Sequence, residues 1–460
     1  MVWYGPNTKA YYAEWKKVCF STTVEDYRPV LRSGHGAWVT DIDGNEFLDF
    51  TSQVGVVNSG HSPAEVVAAL REQGSALSFA IANDFQFSTP HQFGPLAGEE
   101  VSSMRLAEEL IALTDSIMPF PKKVLFATSG AEAVNAAGKI CLAMRPEKGV
   151  FLALENAFHG RHGFSLDISS SNKIHKLFHR EGFRVLRIPF PRKGIDGGRF
   201  FVFLGELLGQ YGERLNALFA EIAQGEGGVV IPDAALMQKL YWIIKSHGLL
   251  FCVDEIQTGF GRTGKFFASE HIPGVYPDMI MVSKALGAGV PIGAVIARSD
   301  ILRGGDLPQG AHSGTMPACP LGCAAALANI KLFREKKLVE RSAQIGAELF
   351  SRLKEITAES LYVREVDTLG GLFIRVQFVS REIRERMIQL CLAQRPGLLL
   401  IGAGEDAIRM APPLILERDD MKLALQIFGR ALSVLPSEKA AGGSCPYEAG
   451  GEGGEYADKS

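Results

Sequence analysis

From Met104 to Ala297 the sequence alternates short, continuously apolar runs with longer stretches that carry a helical pattern. The runs predicted as strands are residues 124–127, 150–154, 184–188, 217–222, 249–253, 279–282 and 294–297. Predicted helices, such as residues 131–144 and 233–246, lie between them. Apolar strands separated by helices indicate a mostly parallel sheet that is covered on both faces. Ligands bind such sheets at the carboxyl ends of the strands, so polar residues at those ends are candidates for function.

The length and the flanking segments predict more than one domain. A chain of 460 residues that is 47% hydrophobic can form one large domain and at least one smaller one. Residues 36–50 alternate apolar and polar side chains around Asp43-Gly44, which predicts a hairpin. After Ala318 come a long helical stretch and an α+β segment. We therefore predict a small domain from residues 1–60 and 326–436, a large ligand-binding domain over 61–325, and a disordered Gly-, Glu- and Ala-rich tail over 437–460.

Charge and cysteine content restrict the partners and the compartment. The net charge is -3 and no stripe of Lys and Arg is present, so we expect no nucleic-acid partner. We expect no membrane span and no secretory signal, because no apolar run is long enough for a span and the first residues lack an apolar core. Seven scattered cysteines without Cys-x-x-Cys spacing favour a reducing compartment, taken to be the cytoplasm. Cys319 and Cys323 have helical spacing, but no second ligand pair follows, so no metal site is predicted.

Two polar residues follow apolar strands and carry the main functional signal. The run LFCVDEIQTGFGRTGK places Asp254 at the end of a strand, and Gln257 follows three residues later. Lys284 ends a second apolar strand and precedes a loop of small residues. A carboxylate at a buried strand end is costly without a cationic partner, and a structural ion pair alone would explain it. Pyridoxal 5′-phosphate (PLP) chemistry needs both groups, because a lysine amine forms the imine and a carboxylate keeps the pyridine nitrogen protonated.

The stretches VDEIQTGFGRTGKFFASE and PDMIMVSKALGAGVPIGAVIAR resemble the class III, or subgroup II, PLP-dependent aminotransferases. The resemblance extends from residue 34 to about 435 and points to the 4-aminobutyrate, ornithine and acetylornithine branch. It implies fold type I, with a large PLP domain built on a mostly parallel seven-stranded sheet and a small α+β domain. It also implies a homodimer, or a dimer of dimers, with active sites at the interface. Lys284 would form the Schiff base, Asp254 would pair with the pyridine nitrogen, and Gln257 would bond near the ring's O3′.

Two further motifs match segments that hold the cofactor phosphate in the family. The run ATSGAEA stands between a predicted strand and a predicted helix, and the resemblance assigns phosphate binding to Ser129, Gly130 and Ala131. A helix N-terminus suits this role because its free backbone N–H groups attract anions. Thr315 matches a threonine that binds the phosphate of the neighbouring subunit, although a helix N-cap would also explain it. The family's usual Asn-Pro after this threonine is Cys319-Pro320 here.

Two other segments match the family with substitutions. Phe158 and His159 begin a run, FHGR, that resembles the segment whose aromatic ring stacks on the cofactor. The family's next residue is usually threonine, and His162 stands in its place. The run EIAQGEGG resembles the family's Glu-Pro-x-Gln-Gly-Glu-x-Gly, with Ile222 replacing proline.

Substrate residues are assigned by the same resemblance. Arg409 would bind an α-carboxylate and Arg161 a distal carboxylate, because a planar guanidinium binds carboxylates in a bidentate way. Glu226 matches a gating glutamate that pairs with Arg409 when the substrate has no α-carboxylate. Val54 stands where ornithine aminotransferases carry a tyrosine, which argues against ornithine. We therefore expect a 4-aminobutyrate-like ω-amino acid as donor and 2-oxoglutarate as the oxo-acid acceptor.

Other functions fit the same residues. Acetylornithine or another amino acid could be the donor, since the cofactor residues would be identical. An amino-acid racemase or epimerase on this scaffold would need a second acid–base group opposite Lys284, which the sequence does not locate. A binding or structural protein that retains the fold is the third alternative, and intact Lys284, Asp254 and Gln257 argue against it.

Overall fold

The computed structural model describes residues 5–20, 28–76, 79, 101–172, 184–302, 306–307 and 311–435. The strands are β1 Leu31–His35, β2 Trp38–Asp41, β3 Glu46–Asp49, β4 Lys122–Ala127, β5 Val150–Leu154, β6 Arg184–Ile188, β7 Leu215–Ala220, β8 Leu250–Asp254, β9 Met279–Val282, β10 Gly293–Arg298, β11 Val363–Thr368, β12 Ile374–Phe378, β13 Gly397–Leu399, β14 Ile401–Ala403 and β15 Ala407–Met410. The helices are α1 Pro6–Val18, α2 Ser52–Gly55, α3 Ala64–Ala76, α4 Ser103–Leu113, α5 Gly130–Met144, α6 Gly163–Asp167, α7 Gly197–Tyr211, α8 Ala234–Ser246, α9 Pro320–Glu335, α10 Leu338–Thr357, α11 Arg381–Leu392 and α12 Arg418–Ser433. Among the described helices, none has the length and apolar character that a bilayer crossing requires.

The central sheet has seven strands in the order β4-β10-β9-β8-β7-β5-β6, which confirms the predicted sheet. Only β10 runs antiparallel to its neighbours β4 and β9. Successive residues of β8 alternate between two apolar clusters on opposite faces: Phe251 and Val253 join one, and Leu250 and Cys252 the other. Burial on both faces explains why these strands read as continuous apolar runs.

The predicted strand over residues 217–222 was wrong at its carboxyl end, because β7 ends at Ala220. Glu221 follows, and its carboxylate accepts hydrogen bonds from the backbone N–H groups of Phe158 and Gly225. These bonds fix the chain in a turn outside the sheet ladder. The predicted strand over 249–253 shifts by one residue, so that Asp254 is the last residue of β8.

The order of the strands brings the predicted site residues to one edge of the sheet. The strands β5, β7, β8 and β9 are mutually parallel, so their carboxyl ends meet at the same edge. The register pairs Asp254 with Met281 of the neighbouring β9. Lys284 follows Met281 by three residues and therefore lies beside the end of β8.

Two smaller sheets stand beside the central one in the sequence, and one of them joins the beginning of the chain to its end. The first has the order β1-β2-β3-β13, and the second has the order β11-β12-β15-β14. The predicted hairpin is confirmed as β2 and β3, which pair antiparallel across a turn where Gly44 has a φ of 83°. β13 pairs parallel with β3, so residues from both ends of the chain share one sheet. The residue boundaries of the domains stay predictions, and the predicted tail over 437–460 lies outside the described residues.

Arg262, in the loop after β8, connects the central sheet with segments that adjoin the two smaller sheets. Its side chain is fully buried, and its Nη1 donates to the carbonyl oxygens of Leu372 and Pro412 at 3.0 and 2.6 Å. Its Nη2 donates to the hydroxyl of Ser52 at 3.0 Å and to the side-chain oxygen of Asn58. Burial lowers the pKa of Arg262 to about 9, so the guanidinium is still charged at neutral pH. These four bonds offset the cost of burying the charge.

We predict that Arg262→Met destabilises the protein far more than a matched surface change. The methionine fills similar space but leaves buried oxygens without donors, which costs about 1–3 kcal/mol for each unsatisfied group. The apparent unfolding temperature at a fixed scan rate should fall by at least about 5 °C. Arg418→Met is the control, because Arg418 is exposed and pairs with Glu348 at the surface. Equal shifts for the two variants would show that the buried bonds of Arg262 contribute no special stability.

Candidate active site

Two connected cavities lie at the carboxyl edge of the central sheet. We call the first, of about 260 Å³, the inner chamber. Its walls are Ser129, Gly130, Ala131, Phe158, His159, Gly160, Arg161, His162, Glu221, Glu226, Asp254, Ile256, Gln257, Ser283 and Lys284. The second, the outer cleft, has about 1000 Å³ and reaches the small sheets. Phe158, Arg161, Glu226 and Lys284 line both, so a molecule in the outer cleft can reach the inner chamber.

Asp254 and His159 form a buried pair at the floor of the inner chamber. The distance from His159 Nδ1 to Asp254 Oδ2 is 2.8 Å, and the backbone N–H of Ile256 donates to Asp254 Oδ1 at 3.0 Å. The backbone N–H of His159 donates to the hydroxyl of Ser169 at 2.8 Å, which fixes the ring's position. His159 Nε2 is buried and has no hydrogen-bond partner among the described residues. The carboxylate is therefore held in one orientation, as a fixed partner for a cationic ring nitrogen must be.

Glu221 is a second buried carboxyl group beside this pair. Burial raises its pKa to about 7, and the nearby charge of Asp254 acts in the same direction. His159 and the two backbone N–H groups that donate to Glu221 oppose the rise. The group therefore titrates near neutral pH, where its charge can change in the physiological range.

Lys284 enters the chamber from the loop after β9. Its backbone φ is 43°, in the left-handed region that non-glycine residues rarely adopt. Burial lowers the pKa of the Lys284 amine, and the guanidinium of Arg409 acts in the same direction. Glu226, Asp254 and Glu221 oppose this effect. A lysine with a lowered pKa is more often in the neutral form that reacts as a nucleophile.

Glu226, Arg409 and Gln257 form one hydrogen-bonded group above Lys284. Arg409 Nη1 lies 3.0 Å from Glu226 Oε1 and 3.1 Å from Gln257 Oε1. Burial alone would raise the pKa of Glu226, but the charges of Arg409 and Lys284 outweigh it and lower the pKa to about 2. The second nitrogen, Arg409 Nη2, is buried without a partner among the described residues. Nη2 can therefore donate to an oxygen of a bound molecule.

The side chain of Gln257 contacts the ion pair, whereas the resemblance assigns it a contact with the cofactor ring. Its Nε2 lies 3.4 Å from Glu226 Oε1, and its Oε1 accepts from Arg409. Both of these contacts join the amide to the ion pair. The contact with the cofactor ring stays a prediction.

The N-terminus of helix α5 forms the opposite wall of the inner chamber. Ser129 is the N-cap, and its hydroxyl accepts from the backbone N–H of Glu132 at 3.2 Å. Gly130 and Ala131 begin the helix and line the chamber. A Cβ at Gly130 would lie 2.8 Å from Ile256, so close packing requires glycine there. Because the first N–H groups of a helix lack intrahelical partners, this wall suits an anion.

Arg161 and Phe158 stand at the junction of chamber and cleft. The guanidinium carbon of Arg161 lies 4.8 Å from the centroid of the Phe158 ring, a cation–π distance. The Arg161 residue is exposed, whereas Phe158 is half-buried. Val54 lines the outer cleft with a φ of 65°. Two of the predicted substrate residues, Arg161 and Val54, therefore line the same cleft as Lys284.

Two predicted site residues, Arg409 and Thr315, line neither cavity. Arg409 bonds to Glu226 and Gln257, which line the inner chamber. Thr315 belongs to the segment between β10 and α9. It is exposed and precedes α9. The predicted role of Thr315 in a neighbouring subunit's site stays a prediction.

Sequence reasoning named Glu221 within a motif but gave it no role. Glu221, like Asp254, is a carboxylate at the end of an apolar run, and that pattern could have identified it as a candidate site residue. The sequence analysis also did not place three arginines that line the outer cleft, Arg28, Arg381 and Arg384. They lie in the small-domain segments, where no strand-end pattern marks them.

Comparisons with known proteins agree with this geometry. The family described as "Aminotransferase class-III" matches residues 21–432. An acetylornithine aminotransferase from Methanothermobacter thermautotrophicus is 31% identical, and the match covers 88% of this chain and 94% of the relative. A probable 4-aminobutyrate aminotransferase from Bacillus subtilis is 32% identical over 88% of this chain and 93% of its own length. The solved ornithine aminotransferase from Toxoplasma gondii is 25% identical with a TM-score of 0.79, covering 93% of this chain and 95% of that one.

The match to the family covers most of the chain, and the solved relative has the same overall fold. The predicted family, branch and enzyme class are therefore confirmed. The chain belongs to the class III aminotransferases, pyridoxal-phosphate enzymes of fold type I.

Proposed function

We propose that this enzyme transfers the amino group of an ω-amino acid such as 4-aminobutyrate to 2-oxoglutarate. The observation that carries the proposal is the 3.0 Å ion pair between Glu226 and Arg409 beside Lys284. An ω-amino acid brings no carboxylate next to its amino group, so Glu226 neutralises Arg409 in that half-reaction. Glutamate brings an α-carboxylate, which replaces Glu226. Arg161 binds the distal carboxylate of either substrate.

The inner chamber fits pyridoxal phosphate by the chemistry of its walls. The α5 N-terminus offers N–H groups to a phosphate, and buried Asp254 offers a carboxylate to a protonated ring nitrogen. Phe158 offers an aromatic face, and Lys284 an amine with a lowered pKa. The residues that would hold the cofactor are Ser129, Gly130, Ala131, Phe158, His159, Asp254, Gln257 and Lys284, with Thr315 contributed to the neighbouring subunit. When bound, PLP supplies the electron sink that makes a carbon beside the amino group acidic.

The residues of the chain then perform distinct tasks. Lys284 Nζ would hold the cofactor and would also move a proton at the substrate carbon. Asp254, oriented by His159, keeps the ring nitrogen protonated. Arg409 and Arg161 fix the two ends of the substrate, so that the reacting carbon stays near Lys284. Val54 presents an apolar surface to the substrate chain, which suits a donor that lacks the α-amino group of ornithine.

The family relatives include enzymes named for acetylornithine and ornithine as well as for 4-aminobutyrate. A donor screen with 2-oxoglutarate tests the proposal directly. Glutamate formation from 4-aminobutyrate at a higher kcat/KM than from ornithine or acetylornithine supports it. Turnover of an L-amino acid alone to its D-form would replace transamination by racemisation.

We predict that Lys284→Ala abolishes turnover but keeps the cofactor. Loss of the acid–base role alone lowers the rate about 10²–10⁴-fold, and loss of the covalent link adds to this. The variant should bind PLP without a borohydride-reducible bond, which intact-protein mass spectrometry detects. Lys265→Ala, an exposed lysine of the nearby loop, is the control and should retain the bond. Asp254→Ala should keep the bond while single-turnover rates fall; wild-type rates in that variant would disprove the ring-nitrogen role.

We predict that Glu226→Gln impairs the two half-reactions unequally. The 4-aminobutyrate half should slow about tenfold to a hundredfold, because Arg409 is left without a counter-charge when no α-carboxylate is present. The glutamate half should change by less than about threefold. Arg161→Gln should impair both halves, since both substrates have a distal carboxylate. Stopped-flow absorbance measures each half separately.

The control for the gate is Glu348→Gln, which breaks a surface pair with Arg418. It should leave both halves unchanged. Equal losses in both halves for Glu226→Gln would remove the gate from the mechanism and leave the donor undetermined.

We propose a homodimer in which Thr315 completes the neighbouring subunit's site, and a mixed dimer tests this. One subunit carries Lys284→Ala and the other Thr315→Val. If Thr315 serves the partner, one of the two sites is then wild type in every residue, and activity returns to about half of the wild-type value. If Thr315 serves its own subunit, no site is complete and activity stays at the level of the parent variants. A fully active monomer in sedimentation would also contradict the proposal.

A further inference from the structure

The four residues of the short helix α2 wind in the left-handed direction. Ser52, Gln53, Val54 and Gly55 have φ values of 46°, 51°, 65° and 78°. No other run of positive φ among the described residues is longer than two residues. This region is unfavourable for L-residues, most of all for a β-branched residue such as valine. We call these four residues the left-handed turn.

The left-handed turn forms part of the wall of the outer cleft. Gln53 and Val54 line the cleft together with Lys284. On its inner side the turn packs on Gln257, because a Cβ added at Gly55 would lie 3.7 Å from Gln257 Cγ. The amide of Gln257 bonds to the ion pair described above. The turn therefore stands between the cleft and the ion pair.

Asp49, the last residue of β3, holds the turn through a buried carboxylate. Its Oδ1 accepts from the backbone N–H and the hydroxyl of Thr51 at 2.8 and 2.6 Å, and its Oδ2 accepts from Gln53 Nε2 at 3.3 Å. His61 Nε2 lies 2.8 Å from the same Oδ2. Burial alone would raise the pKa of Asp49, but the bonds from His61 and Thr51 outweigh it and lower the pKa. The group is therefore ionised at neutral pH and can accept all of these bonds.

A second set of bonds joins the turn to the segment that carries Arg409. The hydroxyl of Ser52 donates to the carbonyl oxygen of Ala411 at 2.7 Å and accepts from Arg262 Nη2 at 3.0 Å. The backbone N–H of Ala411 donates to the carbonyl oxygen of Phe50 at 2.8 Å. Because Ala411 follows Arg409 by two residues, these bonds fix the turn relative to the ion pair.

Val54 is the side chain that this arrangement directs into the cleft. The side chains of Thr51, Ser52 and Gln53 all bond within the network that holds the turn, whereas Val54 lines the cleft. Unfavourable backbone that is held by many bonds is typical of sites where a side chain must keep one direction. A return of Val54 to negative φ would change the direction of its Cα–Cβ bond and so the shape of the cleft wall.

We propose that the left-handed turn is a preformed specificity wall and that Asp49 is its positioning residue, which fixes Val54 in the cleft. The proposal rests on the proposed function, in which Val54 faces a donor that lacks an α-amino group. A wall that cannot yield keeps an apolar surface where ornithine would carry its α-ammonium, and a charged group without a partner is costly to bury. A wall that yields admits the ammonium with its water, so discrimination falls.

Asp49→Asn tests the positioning role because the two side chains have the same shape. Whichever way the amide turns, one oxygen becomes an N–H donor, and the donors that face it lose their acceptor. Asp41→Asn is the matched control. Asp41 is also buried at the end of a strand and accepts from the backbone N–H of Asp43 and from the side-chain amide of Asn45. It lines neither cavity.

Hydrogen–deuterium exchange of the holoenzyme measures whether Asp49 holds the turn. The backbone N–H groups of residues 55–57 donate to the carbonyl oxygens of residues 51–52 and report on the turn directly. Their exchange should be at least about tenfold faster in Asp49→Asn than in the wild type, and unchanged in Asp41→Asn. Equal exchange in the two variants would disprove the positioning role.

The specificity role is measured by the ratio of kcat/KM for 4-aminobutyrate to kcat/KM for ornithine, because a ratio cancels any loss of folded enzyme. The ratio should fall at least about fivefold in Asp49→Asn and stay within about twofold of the wild type in Asp41→Asn. Thr51→Val keeps the shape of residue 51 but removes its 2.6 Å bond to Asp49, and the ratio should fall there as well. Thr51 also lines the cleft, and a more apolar wall alone would raise the ratio, so a rise in this variant would contradict the proposal.

These measurements separate the failure of this proposal from that of the proposed function. If the wild type does not prefer 4-aminobutyrate to ornithine, the donor assignment fails. Faster exchange in the turn, with a ratio that differs between Asp49→Asn and Asp41→Asn, would still support the specificity wall. If both variants keep the wild-type ratio, the specificity wall is overturned, whichever donor the wild type prefers.

Discussion

The active site depends on the buried guanidinium of Arg262, which joins three separate parts of the chain. It donates to Ser52 and Asn58 near the N-terminus and to the backbone at Leu372 and Pro412 near the C-terminus. Pro412 follows β15, the strand that carries Arg409. Because Arg262 itself stands in the loop after β8, these bonds hold Arg409 beside the strand ends of the central sheet. Breaking the four hydrogen bonds of a buried cation is costly, so Arg262 stabilises the contact between these segments.

Around this anchor the charges form two layers with different tasks. At the floor of the inner chamber, the carboxyl groups of Asp254 and Glu221 lie buried near the imidazole of His159. At the mouth, Glu226 and Arg409 form an ion pair, in which we propose that a substrate α-carboxylate replaces Glu226. Lys284 lies between the layers, where burial lowers the pKa of its amine. In the proposed function, this separation would let the floor stay fixed while the mouth accommodates substrates with and without an α-carboxylate.

The mouth also connects the chemistry to the small sheets. Arg384 packs against Gly402, and Arg28 bonds to Leu400, so the far wall of the cleft comes from the beginning and the end of the chain. β13 pairs with β3 and makes this wall continuous. This wall therefore comes from segments that are distant in sequence from Lys284, whereas Asp254 and Lys284 belong to the strand ends of the central sheet.

The sequence by itself determined the parallel sheet and the positions of Asp254 and Lys284, because both are properties of local patterns. A strand buried on two faces needs a continuous apolar run, and a polar residue directly after it must lie at the sheet edge. The start of α5 could also be predicted from a local pattern, because an apolar strand, a short polar run and a helical stretch follow one another there. Contacts between distant segments were not encoded locally. Only the tertiary structure placed Gln257 on the ion pair of Glu226 and Arg409, raised the pKa of buried Glu221, and gathered Arg28, Arg381 and Arg384 in one cleft. Burial and electrostatic interactions depend on which residues pack together across the fold, and a strand or helix pattern carries no information about that.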